Sequence, residues 1–223
     1  MSIPTEELDR LAAHPVVTRL SHALAVRPGR AIAVQAGMRG AAILLALRAR
    51  SDGEPELLMI KRADAERDPW SGHIACPGGR REPVDTDLSA TAVRETLEET
   101  GVDILRDGRL IGHLDDLSPV SPHLPPLVIR PFVALVRADV VIVPSEEVAA
   151  AFWVPLAEFR TDSAWGIDVV HVRGVDRRVS VFRHGSYTVW GLTERVLRQF
   201  LQYAGEARGD ESFDDDPSPS SSR

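Results

Sequence analysis

The chain has 223 residues, of which 43% are hydrophobic and 26% charged, as expected for a globular protein with one domain and short extensions. The net charge of −7 argues against nonspecific binding to nucleic acid, and no apolar run approaches the ~20 residues that span a bilayer. The acidic N-terminus lacks the apolar stretch of a signal peptide, and a single cysteine, Cys76, excludes an internal disulfide, so we expect a cytoplasmic protein.

The first residues of the chain predict two short helices. Thr5 is of the type that caps a helix, and Leu8 and Leu11 after it share one helical face. A second helix is expected over residues 17–26, ended by Pro28. We divide the chain into a helical extension, a main domain and a disordered tail rich in Ser, Pro and Asp, at residues 1–35, 36–206 and 207–223.

The next segment predicts a hairpin, a loop and a helix. Apolar runs at residues 41–47 and 57–60 favour two paired strands, and the polar residues 62–72 indicate a loop. Residues 88–100 have helical periodicity, and Gly101 follows them at the position that commonly ends a helix.

The remainder of the chain adds strands and a final helix. Further apolar runs of strand length occupy residues 127–136, 140–143, 152–156, 167–172 and 179–182. The last two of these runs are expected to form a second hairpin, and residues 189–203 a helix with one buried face. Because strands outnumber helices and separate the two long ones, we predict an α+β fold with helices packed against a mixed β-sheet.

Three acidic residues on the predicted helix 88–100 carry the main chemical signal. Glu95, Glu98 and Glu99 are spaced at i, i+3 and i+4, so their carboxylates share one helical face. A solvated charged face tolerates this repulsion, whereas a hard divalent cation prefers such a cluster of oxygen ligands. The spacing alone leaves both interpretations open.

The acidic triplet lies within a longer pattern. Its positions are Gly79, Asp85, Arg94, Glu95, Glu98, Glu99, Gly101 and Val102. In this order they resemble the Nudix box, a Gly, an acid, then Arg-Glu-x-x-Glu-Glu-x-Gly and an apolar residue. Asp85 stands where Glu is usual, one extra residue separates it from Arg94, and Thr96 replaces an aliphatic residue. None of these differences touches the acidic face, so we expect an intact metal site.

The resemblance implies a Nudix-type fold, a mixed sheet sandwiched between helices, and a hydrolase of a nucleoside diphosphate linked to another group. Glu95, Glu98 and Glu99 would then be catalytic and would hold Mg²⁺ or Mn²⁺, while one of them or a glutamate elsewhere activates water. Glu146 and Glu147 are candidates for that further carboxylate, or they are ordinary acids of a loop.

Other residues near the acidic helix are expected to support the site structurally. Arg94 is expected to be structural, holding a carboxylate by a bidentate pair, and Gly101 to end the helix. Gly78 and Gly79 would let the backbone turn sharply beside the phosphates.

The stretch before the box is similar to that of coenzyme A diphosphatases, a branch of this family. The similarity consists of Gly72-x-x-x-Cys76-Pro77-Gly78-Gly79, the longer box with Asp85, and the segments RPFVALV, SEEV, FWVPL and VWGLTERVLRQFL, and it covers residues 38–203. Cys76 stands where the branch usually has Phe, and the segment LLMIKRA differs from the branch's threonine-rich signature.

Coenzyme A hydrolysis of this kind would release 3′,5′-ADP and 4′-phosphopantetheine. Two alternatives stay open: a broader hydrolase of ADP-ribose, NADH or a deoxynucleotide, and a ligand-sensing module without catalysis. The three retained glutamates argue against the sensing module. We expect a small nucleotide as the partner, no nucleic acid and no membrane, and we predict no oligomeric state.

Coenzyme A would need contacts for its 3′-phosphate and its adenine. The candidate substrate-binding residues are Arg62, Arg67, Trp70, Gly78, Gly79 and Arg80, with Lys61 and Arg81 nearby. The cationic residues suit a phosphate by bidentate or charge-assisted bonds, or they are ordinary surface charges. Trp70 could stack on adenine or be packed against the protein.

Overall fold

A computed structural model describes residues 5–64, 70–118, 126–172 and 175–206. The helices in these ranges are α1 (Thr5–Ala12), α2 (Pro15–Val26), α3 (Leu88–Thr100), α4 (Ile104–Asp107) and α5 (Gly191–Tyr203). The strands are β1 (Arg39–Ala49), β2 (Pro55–Arg62), β3 (Ile74–Ala75), β4 (Gly78–Arg80), β5 (Gly108–His113), β6 (Leu127–Val136), β7 (Val148–Pro155), β8 (Trp165–Val172), β9 (Val175–His184) and β10 (Tyr187–Trp190). Two short 3₁₀ helices, Glu158–Arg160 and Asp162–Ala164, follow β7.

A central mixed sheet contains β1 to β7. β1 lies at its centre, parallel to β6 along one side and antiparallel to β2 and β4 along the other. β5 extends the sheet beyond β6, while β3 and β7 both pair with β2. A separate antiparallel sheet has the strand order β10-β9-β8.

The alternation of side chains along β1 divides the hydrophobic core in two. Ala42 and Leu44 belong to a cluster that includes residues of α3 and α4. Leu45 and Leu47 belong to a larger cluster with residues of α1, α2 and α5. Helices therefore cover both faces of the mixed sheet, which confirms the predicted α+β fold class.

Residues 27–38, the linker between α2 and β1, are held by a buried carboxylate that follows β5. Asp116 accepts a hydrogen bond from the backbone N–H of Ile32 at 2.7 Å, and Arg130 donates two bonds of 2.8 Å to the same carboxylate. The neighbouring Asp115 accepts another linker N–H at 2.8 Å. The linker is thus tied to the central sheet, because Arg130 belongs to β6.

Most of the predicted elements are confirmed. The helix expected at residues 88–100 is α3 with the same bounds, and both expected hairpins pair antiparallel, as β1–β2 and β8–β9. The second helix begins at Pro15 rather than at residue 17, because proline suits the first turn, where its missing N–H would have no helical partner.

Some predictions differ from the structure, and one strand was missed. The last helix starts at Gly191, because Val189 and Trp190 pair with β9 and so continue the sheet. The apolar run 140–143 forms no strand, and β5 was not predicted.

Some predictions concern residues that the structure does not describe. Arg67 and the expected disordered tail, residues 207–223, lie outside the described residues. Among the helices of the described ranges, none has the length and apolar character needed to cross a membrane.

Candidate active site

The helix α3 presents its acidic residues because its ends are well defined. Asp87 caps the N-terminus by accepting hydrogen bonds from the N–H groups of Ser89 and Ala90. Gly101 ends the helix in the left-handed region at φ 73°, as predicted for this residue. The buried stripe of the helix, which starts at Leu88, runs on to reach Glu99.

Glu99 is the most buried acid of the triplet, with 4% of its side chain exposed. Its carboxylate accepts a hydrogen bond from the N–H of Gly78 at 2.8 Å and lies 3.5 Å from Nη1 of Arg62. Burial raises the pKa of Glu99 to about 7; the N–H of Gly78 and the Arg62 charge oppose this, and the charges of Glu95 and Glu147 add to it. The carboxylate is therefore poorly compensated by protein groups.

Glu95 lies beside Glu99, close to the turn at the start of β4. Burial raises its pKa, Arg94 opposes the rise, and Glu98 and Glu147 contribute to it. A Cβ atom on Gly79 would lie 2.4 Å from the Glu95 carboxyl group, so only glycine lets this carboxylate sit against the β4 backbone.

Glu98 has a different environment from the other two acids of the triplet. Its side chain is 57% exposed and pairs with Nη1 of Arg94 at 2.9 Å. Glu95 pairs with Arg94 as well, at 3.1 Å from Nη2, so Glu98 differs from Glu95 and Glu99 by its exposure and not by this ion pair. Within the described ranges, no three His, Cys, Asp or Glu side chains are already grouped to hold a metal ion.

Arg94 is engaged by protein groups on several sides. Its Nε and Nη2 donate to the two oxygens of Asp85 at 2.9 and 3.0 Å, and Nη2 also donates to the carbonyl of Arg80 at 3.1 Å. Asp85 is buried and accepts further bonds from the N–H of Glu82 and the hydroxyl of Thr91, both at 2.9 Å. The Arg94 guanidinium holds the pKa of Asp85 well below its usual range.

The Asp85–Arg94 pair explains how the unusual box is accommodated. The shorter acid and the extra residue still give a bidentate contact, in the geometry that Arg–carboxylate pairs favour. Thr96, the third departure, is buried and donates its hydroxyl to the carbonyl of Ala92 at 2.7 Å, so it leaves no polar atom unpaired there.

The other expected site residues lie at different distances from the carboxylates. Arg62 ends β2 at an irregularity in its pairing with β7, and it contacts Glu99. Trp70 is partly buried in the turn that precedes β3, and Arg80 is exposed at the end of β4. Gly78 has a φ of 152°, and a Cβ there would lie 2.3 Å from the carbonyl oxygen of Ala42.

Cys76 and His73 flank the short strand β3 and are not among the acidic residues of the site. Cys76 is buried, and burial raises its pKa to about 12, as expected for a small hydrophobic residue without nucleophilic character. The ring of His73 lies 4.5 Å from that of Trp190.

Glu147 is the site residue that the sequence did not single out. It precedes β7, and its carbonyl accepts the N–H of Ala63 at 2.8 Å, next to the end of β2. Its charge contributes to the raised pKa of both Glu95 and Glu99, so it lies near enough to interact with both carboxylates. The sequence named it only together with Glu146, because strand pairing between distant segments is needed to tell them apart.

The donor chemistry of this group fits a divalent cation. Carboxylates in a poorly solvated site repel one another, and hard cations such as Mg²⁺ or Mn²⁺ take carboxylate oxygens as ligands. Glu95 and Glu99 would hold the ion with Glu147 close by, and Glu98 could join after releasing Arg94.

The region that matches known proteins includes all of the site residues described above. The NUDIX domain model matches residues 38–172. Two proteins named "Uncharacterized Nudix hydrolase NudL", from Yersinia pestis (strain Pestoides F) and Yersinia pseudotuberculosis serotype O:1b (strain IP 31758), are each 33% identical over 165 residues, 74% of this chain and 79% of theirs. A solved MutT protein from Methanosarcina mazei Go1 is 18% identical, with a TM-score of 0.49 over 78% of this chain and 98% of that one.

Proposed function

The chain belongs to the Nudix family of hydrolases, and on this premise we propose that it cleaves the diphosphate bond of coenzyme A or its derivatives. The products would be 3′,5′-ADP and 4′-phosphopantetheine. Nudix hydrolases are pyrophosphohydrolases that act on nucleoside diphosphates linked to another group, and they generally use divalent metal ions. The stretch from Gly72 to Gly79 and the longer box support coenzyme A as the member of this class.

One observation carries the proposed chemistry: the buried, poorly compensated carboxylate of Glu99 lies with the part-buried Glu95, which pairs with Arg94, beside the Gly78–Gly79 turn. Mg²⁺ or Mn²⁺ bound there would neutralise phosphate charge and lower the pKa of a bound water. The glycine turn has no side chains, so a diphosphate can approach the backbone closely.

Glu147 supplies a carboxylate outside the box whose charge acts on Glu99 and Glu95. We assign it the removal of a proton from the attacking water, a step that needs a carboxylate near the metal ligands and open to solvent. Glu147 is exposed, whereas Glu99 is buried, which suits Glu147 for exchanging that proton with bulk water.

Arg94 and Arg62 keep the acidic residues in place in this scheme. Arg94 ties Asp85, the Arg80 carbonyl and Glu98 together, so it fixes the loop that joins β4 to α3. Arg62 lies close to Glu99 and limits the repulsion between the carboxylates before a cation binds.

A substrate panel tests the proposal. Coenzyme A, 3′-dephospho-coenzyme A, ADP-ribose, NADH and dGTP would be compared with Mg²⁺ and with Mn²⁺, and the products identified by mass. We expect the highest kcat/KM for coenzyme A, and no turnover in EDTA. Faster hydrolysis of ADP-ribose would overturn the substrate, and no hydrolysis of any compound with either metal would favour a sensing module.

The broader hydrolase of ADP-ribose, NADH or a deoxynucleotide is the second candidate. It is favoured by Cys76, which fills a buried position where the coenzyme A branch usually has Phe, and by the altered segment LLMIKRA. We also propose that the protein is cytoplasmic. The proposed main domain begins at residue 36, and the proposed tail begins at residue 207.

A further inference from the structure

A cavity of about 590 Å³ lies beside the carboxylate site, between the start of β1 and the loop after β4. Its volume is in the range of pockets that hold a nucleotide-sized ligand. It is lined by Val34, Met38, Arg39, Gly40, Arg80, Arg81, Glu82, Pro83 and Leu88. We call it the β1 pocket.

The charged residues of the β1 pocket favour an anion. The lining contains three arginines and a single acid, so the pocket carries a net positive charge. Arg81 is fixed by donating to the backbone carbonyls of Asp85 and Thr86, at 3.0 and 2.9 Å from Nη2. These bonds hold the guanidinium in place, while its charge also acts on Asp87 and contributes to lowering the pKa of that carboxyl, after the hydrogen bonds of Ser89 and Ala90.

The apolar side of the β1 pocket comes partly from outside the family match. Val34 is 46% exposed and belongs to the linker, whereas the matched region begins at residue 38. Asp116 fixes the linker through the N–H of Ile32, two residues before Val34. This wall is therefore built by the chain's own N-terminal segment, and its exposed apolar surface suits the face of a ring or another apolar group.

The β1 pocket and the carboxylate site are connected through the strand β4. Arg80 lines the pocket, and its carbonyl accepts a hydrogen bond from Arg94. The preceding residue, Gly79, touches the Glu95 carboxylate. The residue that lines the pocket and the residue that touches Glu95 are therefore neighbours in β4, about one residue's length apart along the strand.

We propose that the β1 pocket binds a phosphate monoester on the nucleoside half of the substrate, away from the diphosphate that is cleaved, with Arg39 and Arg80 as its cationic contacts. The inference rests on the proposed function, because it takes the diphosphate to lie at the carboxylates. The sequence predicts a basic set for such a phosphate, Lys61, Arg62, Arg67, Arg80 and Arg81. Arg80 and Arg81 of this set line the pocket, whereas Arg62 contacts Glu99.

Ligand binding tests this inference independently of hydrolysis. Calorimetry would compare adenosine 3′,5′-bisphosphate with adenosine 5′-monophosphate, with and without Mg²⁺. We expect the wild-type protein to bind the bisphosphate about tenfold more tightly, the lower end of the range for a charge-assisted contact because both arginines are exposed. Arg39→Gln and Arg80→Gln should each reduce this preference to about twofold.

Arg50→Gln is the matched control. Arg50 follows the other end of β1, about 36 Å along the strand from Arg39, and pairs with Asp52 at 3.2 Å. This variant should keep the tenfold preference. Equal affinity for both nucleotides in the wild-type protein, or an unchanged preference in the Arg39→Gln/Arg80→Gln double variant, would overturn the inference.

The same experiment separates this inference from the proposed function. A protein that hydrolyses coenzyme A but shows no preference for the bisphosphate retains the proposed function and loses the β1 pocket. A protein that shows the preference and its loss in both variants, yet hydrolyses no diphosphate, retains the pocket and loses the proposed function.

Discussion

The helices α3 and α5 are each 13 residues long and lie on opposite sides of the central sheet, yet they bury different chemistry. α5 buries an apolar stripe that includes Val196 and Phe200, and its buried acid, Glu194, pairs with Arg198 one turn later. α3 buries Glu99, which has one backbone N–H and a guanidinium at 3.5 Å.

The contrast separates residues that stabilise the fold from residues that serve the reaction. A close partner offsets part of the desolvation cost of a buried acid, whereas an uncompensated acid beside like charges raises the free energy of the folded state. A bound cation would remove that cost. α5 therefore behaves as a stabilising helix, and α3 as a helix whose destabilising charge prepares a binding site.

Glu99→Gln gives the largest expected effect and tests the contrast directly. Glutamine keeps an oxygen for the N–H of Gly78 but removes the charge, so we expect kcat to fall about 100- to 1000-fold. Burial holds the pKa of Glu99 at about 7, so above that pH its charge disfavours folding. Without metal, near pH 8, the variant should gain about 1–3 kcal/mol in unfolding free energy. Retained turnover with lower stability would abolish the contrast.

Glu147→Gln asks whether the acidic group extends beyond α3. If Glu147 takes the proton from water, kcat should fall about 100-fold, and the fall should be smaller at high pH, where hydroxide is more available. Glu146→Gln is the matched control, since Glu146 is the exposed neighbour of Glu147 in the chain, and its kcat should stay close to wild type. Equal losses in both variants would rule out the assignment.

Asp85→Asn tests the compensated acid that lies next to the uncompensated ones. The variant removes the partner of Arg94 and should lose about 2 kcal/mol of unfolding free energy at neutral pH. Because Arg94 lowers the pKa of Asp85 in the folded state, this stabilisation is present above about pH 4 and is lost as the pH falls. Urea unfolding at several pH values should show the two proteins converge in acid. Asp52→Asn, at an exposed turn, is the control.

Gly79→Ala should disturb the site more than the fold. The new Cβ would displace the Glu95 carboxylate, the flexible end of a side chain, so we expect kcat to fall about tenfold with little change in Tm. Gly166→Ala is a matched control, because its Cβ would meet only the end of the Arg183 side chain, at 3.0 Å. An unchanged kcat in Gly79→Ala would mean that the position of Glu95 is unimportant.

Glu194→Gln gives the smallest expected effect and completes the contrast from the side of α5. Removing the charge weakens the pair with Arg198, whose side chain is 26% exposed, so the loss of unfolding free energy should be about 1 kcal/mol. Turnover should match the wild type, in contrast to Glu99→Gln. A large loss of activity with normal stability would show that α5 also serves the reaction.

The bounds of α3 could be predicted because local signals agree there. Asp87 and Gly101 cap the helix, and Leu88, Ala92 and Thr96 mark its buried stripe. The same stripe extended by three residues reaches Glu99, so its burial was also readable from the sequence. The partner of Glu98 could not be predicted from the sequence. Several acids lie near Arg94 in the sequence, and only the fold determines which of them pair with it.

The remaining features depend on contacts between distant segments. Val189 and Trp190 fit the helical pattern, but pairing with β9 makes them a strand. Glu147 gains its position from the pairing of β2 with β7, and Asp116 from a bond to Ile32, 84 residues away. No local pattern contains such information, which is why the β1 pocket emerged only from the structure.

The contact between α2 and α5 has a consequence for how the chain folds during synthesis. Arg19 donates to the carbonyl of Ala204, 185 residues later, and the apolar faces of both helices share one core. Because α2 precedes α5 in the chain, its apolar residues must wait for α5 to leave the ribosome before they are covered. The segment from α2 to α5 has to emerge before the larger core can close, and until then a chaperone has an exposed apolar helix to bind.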